Sequence, residues 1–360
     1  MYFDNINLLR AFAALSVLVY HVIELYPWKT FPVEGPLLWF RIGWLGVDLF
    51  FVISGFVITL TASQLFEKHG DQFYKVYLRR RIARIVPLYF LTGFIFILFC
   101  EPAIIKSSGV YKNLAYHFLF IHNLDPGTHG AINGPNWSVG IEMQFYLLIM
   151  VTIRFLVRMH PGRILLSCLL ISWIWRTLVF FYSQHSGLNA YHQFFLSTQI
   201  LGCLDAFGFG ICLCRMILDK ERRFFPPNSI RRNPWLWMAA IVLVAWPSFT
   251  LFWRSPTYWE LWWMAIFWRT LAEMTFFMVL GTAIWLASLL KLNKFIFGPL
   301  WYLGEISYGI YLWHILVIRS LSDANIFTAP EFLFWTLFFT ITLSAFSWHF
   351  VEQPLIKRFR

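Results

Sequence analysis

Apolar residues in this chain come in long runs rather than in stripes. A bilayer-spanning helix needs about 20 mainly apolar residues, and about ten stretches meet that requirement. They lie near 8–27, 43–63, 84–101, 138–157, 164–182, 194–216, 235–253, 262–290, 299–320 and 332–352. The segments between them alternate in character. Segment 68–84 carries Lys68, Lys75, Arg79, Arg80, Arg81 and Arg84; segment 154–163 carries Arg154, Arg158 and Arg163; segment 215–232 is densely basic; Lys291, Lys294 and the tail Lys357, Arg358 and Arg360 continue the series. Segments 28–42, 102–137, 183–193, 254–261 and 321–331 are poor in Lys and Arg. With alternating spans all the basic segments fall on one side, which places them and both termini in the cytoplasm. The pattern predicts an all-α integral membrane protein of about ten helices around a central polar cavity, in one domain covering 1–360.

Composition strengthens this reading. The chain is 59% hydrophobic and 13% charged, about half the charge share of a soluble domain, so it lacks the polar surface to cover a water-soluble globule. Its net charge of +11 sits in short loops between spans, which argues against a nucleic-acid surface. Cys100, Cys168, Cys203, Cys212 and Cys214 lie in or beside apolar runs without zinc-site or CxxC spacing, and read as small core residues. The first apolar run lacks a small-residue cleavage site and is expected to stay as a helix. Segment 102–137 has room for a re-entrant or surface helix, and no internal repeat is visible.

Several polar residues fall at membrane depth. Arg10 and His21 share a face of the first span, roughly 16 Å apart along the axis. Arg10 can snorkel to the cytoplasmic end; His21 lies at mid-membrane or in the outer half. It is either satisfied by a neighbouring helix or functional. Asn136-Trp137-Ser138-Val139-Gly140-Ile141-Glu142 opens the fourth span, with Ser138 and Glu142 on one face. Ser138 reads as an N-cap. Glu142 needs a partner, for which His21 and the arginines are candidates, and beside His21 it would orient the imidazole and raise its basicity. Asp48 caps the second span, pairs with Arg41, or lines the same cavity. Tyr308, Tyr311 and His314 repeat every three residues along the ninth span. Arg269 and Glu273 are expected to pair within their helix, and His349 and Glu352 to be structural. The run Arg79-Arg80-Arg81-Ile82-Ala83-Arg84 is a topology signal, or else an anion site at a helix N-terminus suited to a phosphorylated cytosolic ligand.

Taken in order, these motifs resemble the membrane-bound acyltransferase-3 family. The matching residues are Arg10 and His21; Gly46-Val47-Asp48-Leu49-Phe50-Phe51-Val52-Ile53-Ser54-Gly55-Phe56; Arg81 and Arg84 before Pro87-Leu88-Tyr89; Asn136-Trp137-Ser138 with Glu142; Ile306-Ser307-Tyr308-Gly309-Ile310-Tyr311-Leu312-Trp313-His314; and Val351-Glu352-Gln353-Pro354. The resemblance runs nearly end to end. It implies a ten-helix fold that moves an acyl group, commonly acetyl from cytosolic acetyl-CoA, onto hydroxyls of extracytoplasmic glycans such as lipopolysaccharide, exopolysaccharide or lipid-linked oligosaccharide. By position it makes Arg10 and His21 the essential pair, gives the coenzyme A phosphates to Arg81 and Arg84, and puts Glu142 at the transfer centre. The chain resembles the stand-alone members that lack a fused SGNH-type domain. The implied setting is a bacterial inner (plasma) membrane.

These readings combine into one expectation. Arg79, Arg80, Arg81 and Arg84 anchor an acyl-CoA donor, its arm reaches past Arg10, and His21 acts as general base on a glycan hydroxyl. Asn136, Ser138 or Tyr308 donates to the oxyanion, and Tyr311, His314 and Asp48 are further candidates to line the site. Direct transfer is favoured because no serine or cysteine has an adjacent base, and no metal is called for. Partners are acyl-CoA, a carbohydrate or glycolipid acceptor, the bilayer, and a second subunit if the protein oligomerises. A transporter or flippase for a glycolipid is the alternative; the sequence shows no paired Gly- or Pro-broken helices to favour it. A purely structural scaffold would leave His21, Glu142 and the arginines unexplained.

Overall fold

The computed structural model describes residues 4–218, 233–254, 258–289, 293–322 and 326–359; residues 219–232 of the basic segment, Lys291 and Arg360 lie outside the described residues. All regular structure among the described residues is helical. In chain order the helices are α1 (Asp4–Leu25), α2 (Gly46–His69), α3 (Phe73–Phe99), α4 (Val110–Phe118), α5 (Trp137–Leu156), α6 (Pro161–Ser186), α7 (Ala190–Ser197), α8 (Leu204–Leu218), α9 (Pro234–Arg254), α10 (Arg269–Leu289), α11 (Lys294–Glu305), α12 (Ser307–Ser322), α13 (Ala329–Ser347) and α14 (Gln353–Arg358). π-helical turns precede α10 at Met264–Trp268 and join α13 to α14 at Trp348–Glu352.

Eight stretches of the described residues are long and apolar enough to cross a membrane, and one of them, Pro36–Phe99, contains both α2 and α3. The expected spans correspond to helices, with two departures. Span 194–216 is interrupted: α7 ends at Ser197 and α8 begins at Leu204. Span 299–320 is split at Ile306, which leaves helical geometry (φ −86°, ψ 5°) between α11 and α12. The expectation of unbroken helices is therefore wrong at both places.

The chain divides into two compact units, Met1–Ile6 with Asp48–Gly70 and Leu147–Leu292, and Asn7–Val47 with Asp71–Tyr146 and Asn293–Arg360. In the first unit, α2 and α8 touch backbone to backbone. A Cβ on Gly55 would stand 2.3 Å from the Phe207 carbonyl oxygen, and one on Gly210 would stand 2.1 Å from that of Val52. Small residues allow this approach, which lets van der Waals packing hold helices in a medium as apolar as their side chains.

The polar core of that unit is a set of buried ions. Arg176 donates to Gly202 O, Ile266 O, Thr270 Oγ1 and Asp205 Oδ1, the last at 2.8 Å. Thr270 Oγ1 donates to Asp205 Oδ2, and Glu273 Oε1 lies 3.6 Å from Arg176 Nη2. Arg269 gives two hydrogen bonds to Asp48 Oδ1, at 3.1 and 2.5 Å. Arg269 thus spends its hydrogen bonds on Asp48, while Glu273 turns to Arg176, so the expected intrahelical pair is replaced by links between helices.

In the second unit the break at Ile306 has a visible cause. A Cβ on Gly304 would stand 2.0 Å from the Asn7 carbonyl oxygen, so α11 crosses α1 with backbones touching. The helix restarts at Ser307, and the new segment α12 packs on α13 through Gly309 against Ser344 and a Trp313 Nε1 bond to Ser347 Oγ. This restart buries Tyr308, Tyr311 and His314. Segment 102–137 adds α4 and short 3-10 turns with a buried polar interior.

Removing one member of a buried ion network leaves the others uncompensated. Arg176→Ala should therefore destabilise the protein by about 3–5 kcal/mol, measured as a lower unfolding temperature in detergent. An unchanged temperature would show that Arg176 is not structurally required.

Candidate active site

His21 leaves α1 toward α12. Its Nδ1 lies 2.9 Å from Val17 O and 3.1 Å from His314 Nε2, and His314 Nδ1 lies 2.6 Å from Tyr311 O. The acceptors fix the tautomers. A carbonyl can only accept, so His314 carries its proton on Nδ1 and presents a bare Nε2. His21 then donates from Nδ1, and its Nε2 lone pair has no hydrogen-bond partner among the described residues. An imidazole held in this way has one nitrogen, Nε2, at which it can take a proton. The expected partner of His21 was Glu142; its hydrogen-bonding partner is His314. Glu142 instead accepts from Tyr146 Oη, four residues on, at 2.8 Å.

Next to this pair, Ser138, Tyr311 and Pro135 are tied together. Ser138 Oγ is 2.7 Å from Tyr311 Oη and donates to Pro135 O at 3.1 Å, and Tyr311 Oη donates to the same carbonyl at 2.8 Å. Ser138 is thus a bridge between helices rather than the expected N-cap. Tyr308 Oη donates to Ile85 O at 3.0 Å, and Asn136 Nδ2 to Ile132 O at 3.3 Å. Each candidate oxyanion donor therefore has a protein acceptor. Asn133 Nδ2 donates to Leu312 O, while the Oδ1 atoms of Asn133 and Asn136 are buried and accept no hydrogen bond among the described residues.

The four arginines of α3 differ in their surroundings. Arg81 and Arg84, three apart, share one face. Arg81 lies over the Tyr77 and Tyr146 rings at 5.6 and 5.5 Å, with its Nε buried and unpartnered among the described residues. Arg84 lies 5.1 Å from the Trp348 ring centroid and makes one long bond, 3.4 Å, to Glu305 O. Arg79 and Arg80 are exposed. Arg79 packs over Phe359 at 4.9 Å, on a largely apolar groove of about 500 Å³ between α3 and α14 that is also lined by Tyr74, Lys75, Ile82 and Leu355. The four arginines of the expected anion site thus divide into a half-buried pair, Arg81 and Arg84, and an exposed pair, Arg79 and Arg80. Arg10 makes no hydrogen bond or ion pair with a described residue, and lies within electrostatic reach of Arg84, Glu142, Tyr146 and Glu352.

Asp48 belongs to the other unit, where Arg269 holds its carboxylate. Arg41 instead binds Phe31 O and Pro32 O. Asp48, expected to cap its span, pair with Arg41 or line the cavity, is instead held in the ion network by Arg269. His349 meets Tyr302 Oη at 3.0 Å, in keeping with packing.

Glu352, expected to be structural, is buried with both carboxylate oxygens unpartnered among the described residues. Two groups are not singled out by the sequence. One is the Arg176–Asp205 pair, signalled only by one charge in the interior of each of two apolar runs. The other is a histidine cluster in segment 102–137, for which the crowding of His117, His122 and His129 is a visible signal. The His117 and His122 rings stack at 4.2 Å, and His122 Nε2 donates to Asn136 O at 2.9 Å. Burial pushes His122 down to about 3, with neighbouring His117 adding to the effect. Burial alone takes His129 to about 4.

Comparison with known proteins gives a consistent result. The family profile described as an acyltransferase domain, acyltransferase family 3, matches residues 3–350. The chain is 25% identical over 385 aligned residues to the peptidoglycan O-acetyltransferase OatA of Listeria monocytogenes, covering 99% of this chain and 56% of that protein. It is 26% identical to the O-acetyltransferase OatA of Staphylococcus aureus, covering 99% of this chain and 58% of the relative. It is 28% identical to the putative acetyltransferase ORF330 of Acidianus two-tailed virus, covering 94% and 90%. The chain thus spans a little over half the length of the OatA relatives. No solved structure matches it.

Unfolded histidine titrates near 6.5, whereas His122 and His129 in the fold do so near 3 and 4. Their burial as neutral rings therefore adds stability that is complete above 6.5 and is lost as the pH falls toward the folded values. The unfolding temperature should drop between about pH 7 and about pH 5, and His122→Phe should shrink that drop. An equal drop in both proteins would show that His122 does not contribute.

Proposed function

The chain belongs to the acyltransferase-3 family, and from that premise we propose that it is a membrane O-acyltransferase. In this reading it moves an acyl group, acetyl first among them, from a cytosolic acyl-CoA to a hydroxyl of an extracytoplasmic glycan. The setting proposed is a bacterial inner membrane, with the arginine-bearing loops facing the cytoplasm.

One observation supports the reading above the others: His21 is held by His314 and Val17 O with its Nε2 lone pair unspent. That is the arrangement required of a general base. In the reaction the acceptor hydroxyl gives its proton to His21 Nε2 as its oxygen bonds to the thioester carbonyl carbon. The imidazolium keeps its Nδ1 proton on His314 and Val17 O. Collapse of the tetrahedral intermediate breaks the C–S bond, and the proton on Nε2 passes to the departing thiolate. The products are an acyl ester and a free thiol, with His21 neutral again. Holding both reactants at one imidazole supplies much of the rate gain.

The donor's phosphates suit Arg81, Arg84 and Arg10. Each is a guanidinium whose hydrogen-bonding capacity is largely unspent within the protein, and guanidinium groups match phosphate geometry. The outward Arg79 and Arg80 fit better as topology signals and as contacts with the membrane surface. Glu142, bonded to Tyr146 and within reach of Arg10, is proposed to set the orientation of Arg10. A glycan acceptor would approach through Asn133 and Asn136, whose buried Oδ1 atoms can accept from sugar hydroxyls.

Acyl transfer from acetyl-CoA by purified protein tests this assignment. His21→Ala should lower the rate by about 10²–10⁴-fold, the range of a lost general base. His314→Ala should cost less and shift the pH-rate profile, since it removes only the partner that orients His21. Near-normal turnover by His21→Ala would overturn the base assignment.

A further inference from the structure

Glu352 closes the π-helical turn Trp348–Glu352, is 1% exposed, and has no hydrogen-bond partner for either carboxylate oxygen among the described residues. Asp205 is held by Arg176 and Thr270, and Asp48 by Arg269; Glu273, also buried with neither oxygen hydrogen-bonded among the described residues, still lies in an ion pair 3.6 Å from Arg176. A buried charge with no partner is costly. A π turn within a longer helix is also a costly local geometry that recurs at functional sites.

The surroundings of Glu352 are cationic. Arg84, from α3, stacks over Trp348 on the same π turn. Arg84 and Arg10, from α1, both act electrostatically on Glu352. Neither arginine forms an ion pair with a described residue. From α12, Tyr308 faces the same group, and its hydroxyl is committed to Ile85 O. His349, on the π turn itself, is bonded to Tyr302. Glu142, the other carboxylate in reach of Arg10, is engaged by Tyr146. Two guanidiniums thus face two carboxylates, and only Glu352 is untied.

We propose that Glu352 is the resident counter-ion of the donor site, offsetting Arg10 and Arg84 while no donor is bound and being displaced from them by the anionic donor. This rests on the reading that the donor is an acyl-CoA. The consequence for turnover is a donor site that does not hold its anion too tightly. The same carboxylate that opposes entry of the acyl-CoA returns to the arginines as the spent coenzyme A leaves. A structural carboxylate and a counter-ion differ in the sign of one effect. Loss of a structural group weakens the site, whereas loss of a competing counter-ion strengthens binding of the anion.

The experiment measures affinity for acetyl-CoA, coenzyme A and the uncharged fragment acetyl-pantetheine in wild-type protein and in Glu352→Gln and Glu352→Met, in detergent at fixed ionic strength. Gln keeps the shape of the side chain, and Met removes its polarity as well, so failure of one to fold leaves the other as the test. Both variants should bind acetyl-CoA and coenzyme A about tenfold tighter, as expected when one like charge is removed at partly buried depth, with acetyl-pantetheine affinity unchanged. Turnover should fall along with KM, because release of coenzyme A slows. Equal or weaker acetyl-CoA binding in variants that fold, or an equal gain for acetyl-pantetheine, overturns the counter-ion role and leaves the acyl-CoA reading standing. Absence of acetyl-CoA binding by wild-type protein overturns both.

Discussion

In the interior of a bilayer no water stands ready to solvate a polar group, so each one must find a partner in the protein or be kept for a ligand. That constraint divides this chain's misplaced charges into two kinds. In the unit containing α6, α8 and α10, the guanidinium of Arg176 has acceptors for its hydrogens, and Arg269 is bound to Asp48. Such a network holds helices together through paired ions, although Asp48 Oδ2 and both Glu273 oxygens accept no hydrogen bond among the described residues. In the unit containing α1, α3 and α12, Arg10, Arg81, Arg84, Glu352 and the Nε2 of His21 have bonding capacity that no described residue uses. The proposed function assigns these groups to an anionic donor and to a hydroxyl to be deprotonated.

Backbone geometry explains how the reactive groups come together. Gly304 lets α11 touch α1 at Asn7, helical geometry lapses at Ile306, and α12 starts afresh at Ser307. The restart carries Tyr311 and His314 to His21. The hydrogen-bond order from Tyr311 O through His314 to His21 then fixes which nitrogen of each ring holds a proton. A histidine takes the orienting place that a carboxylate would otherwise fill, so in the proposed reaction the base would be supported without a further negative charge beside the thioester.

Much of this was legible in the sequence. The apolar runs gave the spans, because a bilayer demands length and apolarity from each segment alone. The spacing of Tyr308, Tyr311 and His314 marked one face of one helix. Partner choice was not legible: Glu142 and His314 were both reasonable neighbours for His21, and only the crossing of α1 with α11 and α12 decides between them. The two helix breaks were hidden for the same reason, since a backbone contact between distant segments leaves no trace in local hydropathy. They also remove the argument from unbroken helices against a transporter; membership of the acyltransferase family is what separates the readings. The division of the α3 arginines was not legible from helical periodicity, because Arg80 and Arg84, four apart, share a face as closely as Arg81 and Arg84, three apart.

In the proposed reaction an acyl group crosses from a donor on the arginine-bearing side to a hydroxyl on the other, with His21 as the base. Its most direct test is compartmented transfer. Purified protein is placed in sealed vesicles of one orientation with isotopically labelled acetyl-CoA on the side of Arg81 and Arg84 and a glycan acceptor on the opposite side, and ester-linked label on the glycan is followed by mass spectrometry. The account predicts labelled glycan with wild-type protein and none above background with His21→Ala. Equal labelling by both proteins, or transfer only when donor and acceptor share a compartment, would contradict it.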